Sequence, residues 1–265
     1  MSNLDFTAYF NSPLYSDAII QCDDHNGDKC HLPVHRLILS LHSPFFASAY
    51  TLPFRESSDP DHTIALHDDD PDALVSAIRW CYGHSLYQLE GDQELETQLA
   101  YKDLITMRFT AEEEQQIAGL LLHLMRVYAV ADKYDIEKLR EEVVVHYKRL
   151  APLVVMHKQQ DVFEEMAEVV YRLGKGDKLR KRFMGDVARE VYPVAVEKER
   201  HVKKVLRMGN DWELEEVEKV VRASIFKVRL VGMGREWKKE FMRDMKREVR
   251  REVKKRWRGL NLNNT

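Results

Sequence analysis

The sequence predicts an α+β fold: a small sheet with surrounding helices over residues 14–150, followed by an all-α extension over 151–265. Three observations carry this expectation. Asn26-Gly27 sits between two short strand-like runs, a strong local signal for a hairpin. Pro44 and Pro71 each stand where a first helical residue belongs, behind a serine or aspartates. From Leu120 onward the apolar residues recur at helical spacing almost to the C-terminus.

After an N-terminal segment, 1–13, Asp17 to Cys22 reads as a first strand and Lys29 to Val34 as its return. Asn26-Gly27 suits a two-residue type I′ turn, which would set residue 22 opposite 31 and residue 23 opposite 30. Pro33 cannot donate to a ladder and belongs at a strand end or an edge. Leu37, Ile38 and Leu41 give the first helix its spacing, and Ser43-Pro44 opens a second with Phe45, Phe46 and Ala49 on its apolar side. Thr63 to Leu66 is a third strand. Asp68-Asp69-Asp70-Pro71 then begins a helix with negative charge where the helix dipole favours it. Its buried stripe is Ala73, Leu74, Ala77, Ile78 and Cys81, and Gly83 stops it.

Residues 90–118 are acidic, glutamine-rich and poorly periodic, and are expected to form an insertion or loop. Leu120 to Leu150 returns to helix through Leu121, Leu124, Tyr128, Ala131, Leu139, Val143 and Tyr147, with a break near Lys133 to Ile136. In the extension, Val162, Phe163, Met166, Val169 and Val170 mark one amphipathic helix ending at Gly174-Lys175-Gly176. Leu179, Phe183, Val187 and Val191 mark a second, closed by Pro193. Asn210-Asp211 caps a third carrying Leu214, Val217, Val220 and Val221. Trp237 to Arg258 holds 11 basic and 4 acidic residues around a narrow stripe of Met242, Met245, Val249, Val253 and Trp257. That basic tail, 238–258, suits an anionic partner, nucleic acid included, or simply a solvated face packed on preceding helices.

Net charge is only −3, so total charge selects no partner. Three cysteines are too few for a disulfide scaffold and suit a reducing compartment, cytoplasm or nucleus. Met1 to Phe10 lacks the basic and apolar regions of a secretory signal. The longest apolar stretch, Gly119 to Ala131, is too short to span a bilayer, so no membrane partner is expected. Cys22, His25, Cys30 and His31 are the residue types that bind zinc, but on the expected hairpin successive candidates alternate faces, and zinc needs convergent ligands. His35 has no nucleophile or carboxylate constellation beside it and reads as a hydrogen bonder at a helix start. Phosphate loops, dinucleotide fingerprints and nucleophile elbows are missing, so no cofactor and no enzyme is expected.

Six pieces in order carry a family resemblance. They are Ser16-Asp17 before the hairpin, Val34-His35-Arg36 with Ile38-Leu39, Ser43-Pro44-Phe45-Phe46, Phe54-Arg55-Glu56-Ser57, Ile64 to Pro71 with Trp80 to Gly83, and Val127 to Tyr134. Together, over Leu14 to Leu150, they resemble a BTB/POZ domain, in pattern most similar to the fungal members. The resemblance implies a protein–protein interaction module that forms a homodimer through its first helix and N-terminal segment, here Leu37, Leu41, Phe6, Tyr9 and Phe10. It implies a charged dimer pocket at Asp17 and Arg36, unless these are only an ion pair between strand and helix. It also implies a cullin scaffold contact at Phe54-x-Glu56, unless Phe54 is core and Glu56 merely solvated. The expected function is a self-associating adaptor that brings an unknown protein substrate to a cullin-type ubiquitin ligase. The alternative is a transcription-associated or structural scaffold.

Overall fold

The computed structural model describes residues 5–51, 62–86, 110–153, 160–174, 176–186, 243–244 and 247. The chain separates into two units, Met1–Leu153 and Val154–Thr265.

In the first unit, β1 (Ala18–Asp23) pairs antiparallel with β2 (Lys29–Val34) and parallel with β3 (Thr63–Ala65), in the order β2-β1-β3. Alternate residues of β1, Ala18, Ile20 and Cys22, turn into the core, and Leu32, Val34 and Ile64 join them. Pro33 lies on β2 at the end of this sheet order, where a missing N–H does least harm.

The hairpin forms where expected, but its turn differs. Asp24 pairs with Asp28 through a backbone bond of 2.9 Å, leaving His25, Asn26 and Gly27 as a three-residue loop. Asp24 Oδ1 accepts the amides of Asn26 at 2.8 Å and Asp28 at 2.9 Å. With those amides held, only Gly27 takes a positive φ, +83°, whereas a type I′ turn needs two such residues in succession. The register therefore moves by one: Cys22 faces Cys30, and Gln21 faces His31.

α1 (Arg36–His42) and α2 (Pro44–Thr51) meet at Ser43, which is fully buried. Its hydroxyl accepts the Phe46 amide at 3.1 Å and donates to the Tyr134 carbonyl at 2.6 Å, so the cap of α2 also ties two distant segments together. α3 (Pro71–Cys81) is capped by Asp70, whose carboxylate accepts the Ala73 amide at 3.0 Å, and Gly83 ends the segment at φ +95°.

α4 (Ala111–Lys133) begins earlier than its periodicity suggests, so 111–118 is helix and not loop. Thr110 and Glu113 form a reciprocal capping box, and Glu112, Glu113 and Glu114 sit at the positive end of the helix. Glu and Gln are good helix formers, and Ile117 and Ala118 are already buried in the second turn. The part of the expected insertion over 90–109 lies outside the described residues. α4 and α5 (Glu137–Leu150) are split where expected: Asp135 adopts φ 52°, and the Ile136 amide bonds back to Ala131.

In the second unit, α6 (Gln160–Arg172) buries Met166, Ala167 and Val170, and a helical stretch over 178–186 buries Leu179, Phe183 and Met184. Arg180 is only 4% exposed. Its guanidinium donates to the Leu173 carbonyl at 3.2 Å and to Asp244 at 2.8 Å, and lies 4.3 Å from the Tyr171 ring centre. Asp244 also meets Arg247 at 3.3 Å, three residues on in the basic tail. Val187, Val191 and the helix expected after Asn210 lie outside the described residues. Among the described residues no helix is long and apolar enough to cross a membrane.

Candidate interaction surface

α1 has two faces of opposite use. Ile38 and Leu39 are buried, whereas Leu37 and Leu41 are 71% and 68% exposed. Residues four apart share one side of a helix, so the two leucines form a single apolar stripe. Leu14 and Tyr15, also largely exposed, lie beside the start of α1. Single exposed leucines are ordinary, but two aligned on one helix face are the composition of a contact surface.

His35 fixes that neighbourhood. Its backbone N–H donates to the Tyr82 hydroxyl at 2.9 Å, its ring Nδ1 lies 2.9 Å from the same oxygen, and its Nε2 lies 2.9 Å from the Leu14 carbonyl. A carbonyl can only accept, so Nε2 carries the proton and Nδ1 accepts from the tyrosine. The ring thereby links the strand–helix junction, α3 and the chain before β1. Its role is the hydrogen bonding expected at a helix start.

The aromatic residues of the N-terminal segment pack against their own domain. Phe10 sets its ring edge-on to Tyr82 at 5.8 Å and His84 at 5.6 Å, with the Arg79 guanidinium 5.5 Å from its centre. Tyr9 meets His35 at 5.8 Å and Tyr15 at 6.4 Å. Phe6, Tyr9 and Phe10 are half-buried.

Asp17 and Arg36 are brought together. The carboxylate accepts the Arg36 amide at 2.8 Å and its Nε at 3.1 Å. Asp17 thus caps the first amide of α1 from outside the helix, a service that His35 at the N-cap position does not perform. Burial alone would raise the Asp17 pKa, but the two hydrogen bonds and the charge of Arg36 outweigh it and hold the carboxyl below its usual range. Beside the pair, the Arg36 guanidinium stands 6.0 Å from the Tyr50 ring centre. The Tyr50 hydroxyl is buried without a hydrogen-bond partner, and burial pushes that phenol up.

Other candidates separate. Cys22 and Cys30 share a face once the register is corrected, but His31 stands opposite Gln21 on the other, and His25 at the turn pairs with Asp72 at 3.1 Å. Among the described residues no three His, Cys, Asp or Glu side chains are placed to hold a metal ion. Phe54 and Glu56 lie outside the described residues, as does the basic tail apart from Arg243, Asp244 and Arg247. Sequence reasoning missed Leu14, Tyr15 and Tyr82. The only hint to the last was the spacing Trp80 to Gly83, which says nothing of a partner at residue 35.

The model of the BTB/POZ domain family matches residues 6–117. That span holds the three strands, α1 to α3 and the first turns of α4, so the match and the α+β architecture describe the same object. Over residues 6–117 the chain is similar to a BTB/POZ domain. Domains of this family are non-enzymatic protein–protein interaction modules that commonly self-associate. No curated protein matches the chain.

Proposed function

We propose that this protein is a non-catalytic, self-associating adaptor whose BTB-type domain pairs with a second copy through the outer face of α1. The observation that carries the reading is the bare Leu37 and Leu41 stripe. Burying a leucine contributes roughly 1.5–3 kcal/mol, so two such pairs across a two-fold axis supply most of what a stable contact needs. Light scattering of the full 31.2-kDa chain over a range of concentrations tests this. A dimer mass supports it, and a monomer at every concentration removes it.

The finer reading is recruitment of a protein substrate to a cullin-type ubiquitin ligase, in the cytoplasm or nucleus, as in an adaptor of fungal BTB type. It rests on the Phe54-x-Glu56 pattern, an apolar anchor beside a carboxylate. A cullin pull-down with Phe54→Ala and Glu56→Ala decides it: retention by the unaltered chain and loss in either variant are required. The alternative, a transcription-associated scaffold, draws on the Asp17–Arg36 pair and the basic tail 238–258. Binding to nucleic acid that weakens steeply with salt would favour it.

A further inference from the structure

Cys22 and Cys30 stand directly opposite each other on neighbouring antiparallel strands, and both are free thiols. Counting two residues outward from the bonded pair Asp24 and Asp28 makes 22 and 30 a hydrogen-bonded pair as well. Such pairs hold their Cα atoms about 5.5 Å apart, within the separation that a disulfide spans. Opposed residues also project to the same face, and the Cys30 thiol interacts directly with that of Cys22. The two differ in access: Cys22 is 5% exposed on the core side of β1, while Cys30 lies exposed at the rim.

We propose that Cys22 and Cys30 form a dithiol–disulfide couple, oxidised by a hydroperoxide, that staples the β1–β2 hairpin. The accessible Cys30 thiolate attacks the terminal oxygen of the peroxide. The O–O bond breaks, and Cys30 becomes a sulfenic acid while an alkoxide or hydroxide leaves with a proton. The Cys22 sulfur then attacks the Cys30 sulfur. The S–O bond breaks, the Cys22 proton goes to the departing hydroxide, and water and the S–S bond form. In sum, two thiols and one peroxide give one disulfide, one alcohol or water, and one water. Cys22 suits the second role, because burial first, and then Cys30, Asp23 and Asp69, push its thiol up to about 11. A thiol so rarely ionised is a poor first nucleophile but needs only one sulfenic acid held beside it.

Lys29 lies between the two cysteines, so complete tryptic digestion separates peptide 1–29 from peptide 30–36. The full chain is treated with hydrogen peroxide, alkylated, unfolded and digested without reductant. The expected product is peptide 1–29 joined to peptide 30–36 within one chain, released by dithiothreitol. Cys22→Ala should stop at a Cys30 sulfenic acid trapped by dimedone, and Cys30→Ser, altered at an exposed position, should leave Cys22 as a thiol. Three results would overturn the proposal: a persistent Cys30 sulfenic acid in the unaltered chain, a Cys30–Cys30 bond between chains, or no linkage under conditions that oxidise Cys30 in Cys22→Ala.

Discussion

Two apolar regions of this protein read alike in sequence and are used differently. The N-terminal segment offers Phe6, Tyr9 and Phe10, and α1 offers Leu37 and Leu41. Tyr9 and Phe10 are met by Tyr82, His84, Arg79 and His35 of their own domain and Phe6 is half-buried, whereas the leucines face outward. The difference follows from shape. Aromatic rings bring edges and faces that histidine, tyrosine and arginine can meet singly, so one folded domain can satisfy them. Two leucines in a stripe require an apolar counterpart of similar extent. The N-terminal segment therefore contributes first to the fold, and α1 is the surface left for a partner.

The largest expected effect tests that division directly. Leu37→Asp together with Leu41→Asp should weaken self-association by about 100-fold, since roughly 1.4 kcal/mol per buried leucine corresponds to tenfold each. Sedimentation velocity measures the change, and thermal unfolding of the monomer should be unaltered because neither side chain is buried within it. An unchanged dimer would move the interface off α1.

Phe10→Ala should do the reverse. Full burial of phenylalanine is typically worth 3–5 kcal/mol against alanine, and half-burial reduces this to about 2 kcal/mol of folding stability. Urea unfolding at a concentration where the chain is monomeric gives the value. If instead the dimer constant changes while monomer stability stays level, the segment belongs to the interface after all. Tyr82→Phe is a subtler probe of the same cover. It removes the acceptor for the His35 amide and the donor to its ring, at a cost of about 1–2 kcal/mol, and should leave the aromatic packing on Phe10 in place.

Much of this fold could be read from local chemistry. Pro44 behind Ser43 and Pro71 behind Asp70 start helices because their caps lie next to them in the chain. The hairpin is legible in place but not in turn type, because Asn26-Gly27 alone favours a type I′ turn while the Asp24 carboxylate holds the turn amides otherwise. The first turns of α4 were obscured because glutamate and glutamine composition reads as disorder until Thr110 and Glu113 are recognised as a capping box. The candidate surface was legible only in part. Period 3.6 tells which residues share a side of α1, and so pairs Leu37 with Leu41, but cannot tell which side the domain covers. The contact of His35 with Tyr82 spans 47 residues and leaves no mark on either neighbourhood.

The smallest effect concerns acid, and it joins the two regions. His42 ends α1, lies edge-on to Trp80 at 5.3 Å, and has its Nδ1 buried without a hydrogen-bond partner. Burial, and then the charge of Lys138, hold its pKa below the ordinary value despite a backbone contact at Cys81. His123, 3.0 Å from the Ser76 hydroxyl, is lowered chiefly by burial, partly offset by Asp70 and Asp72. In both cases the folded state binds the proton less readily than the unfolded chain. Their contribution to stability is therefore whole above the unfolded value of about 6.5 and is lost as pH falls through the lower folded values. Unfolding by urea from about pH 8 down to about pH 5.5 should show the midpoint decline in that window, and His42→Gln should flatten the decline. If acid weakens self-association before it weakens folding, and His42→Gln abolishes that too, then the end of α1 transmits protonation to its outer face. If the two losses coincide, the leucine stripe depends on pH only through the fold that presents it.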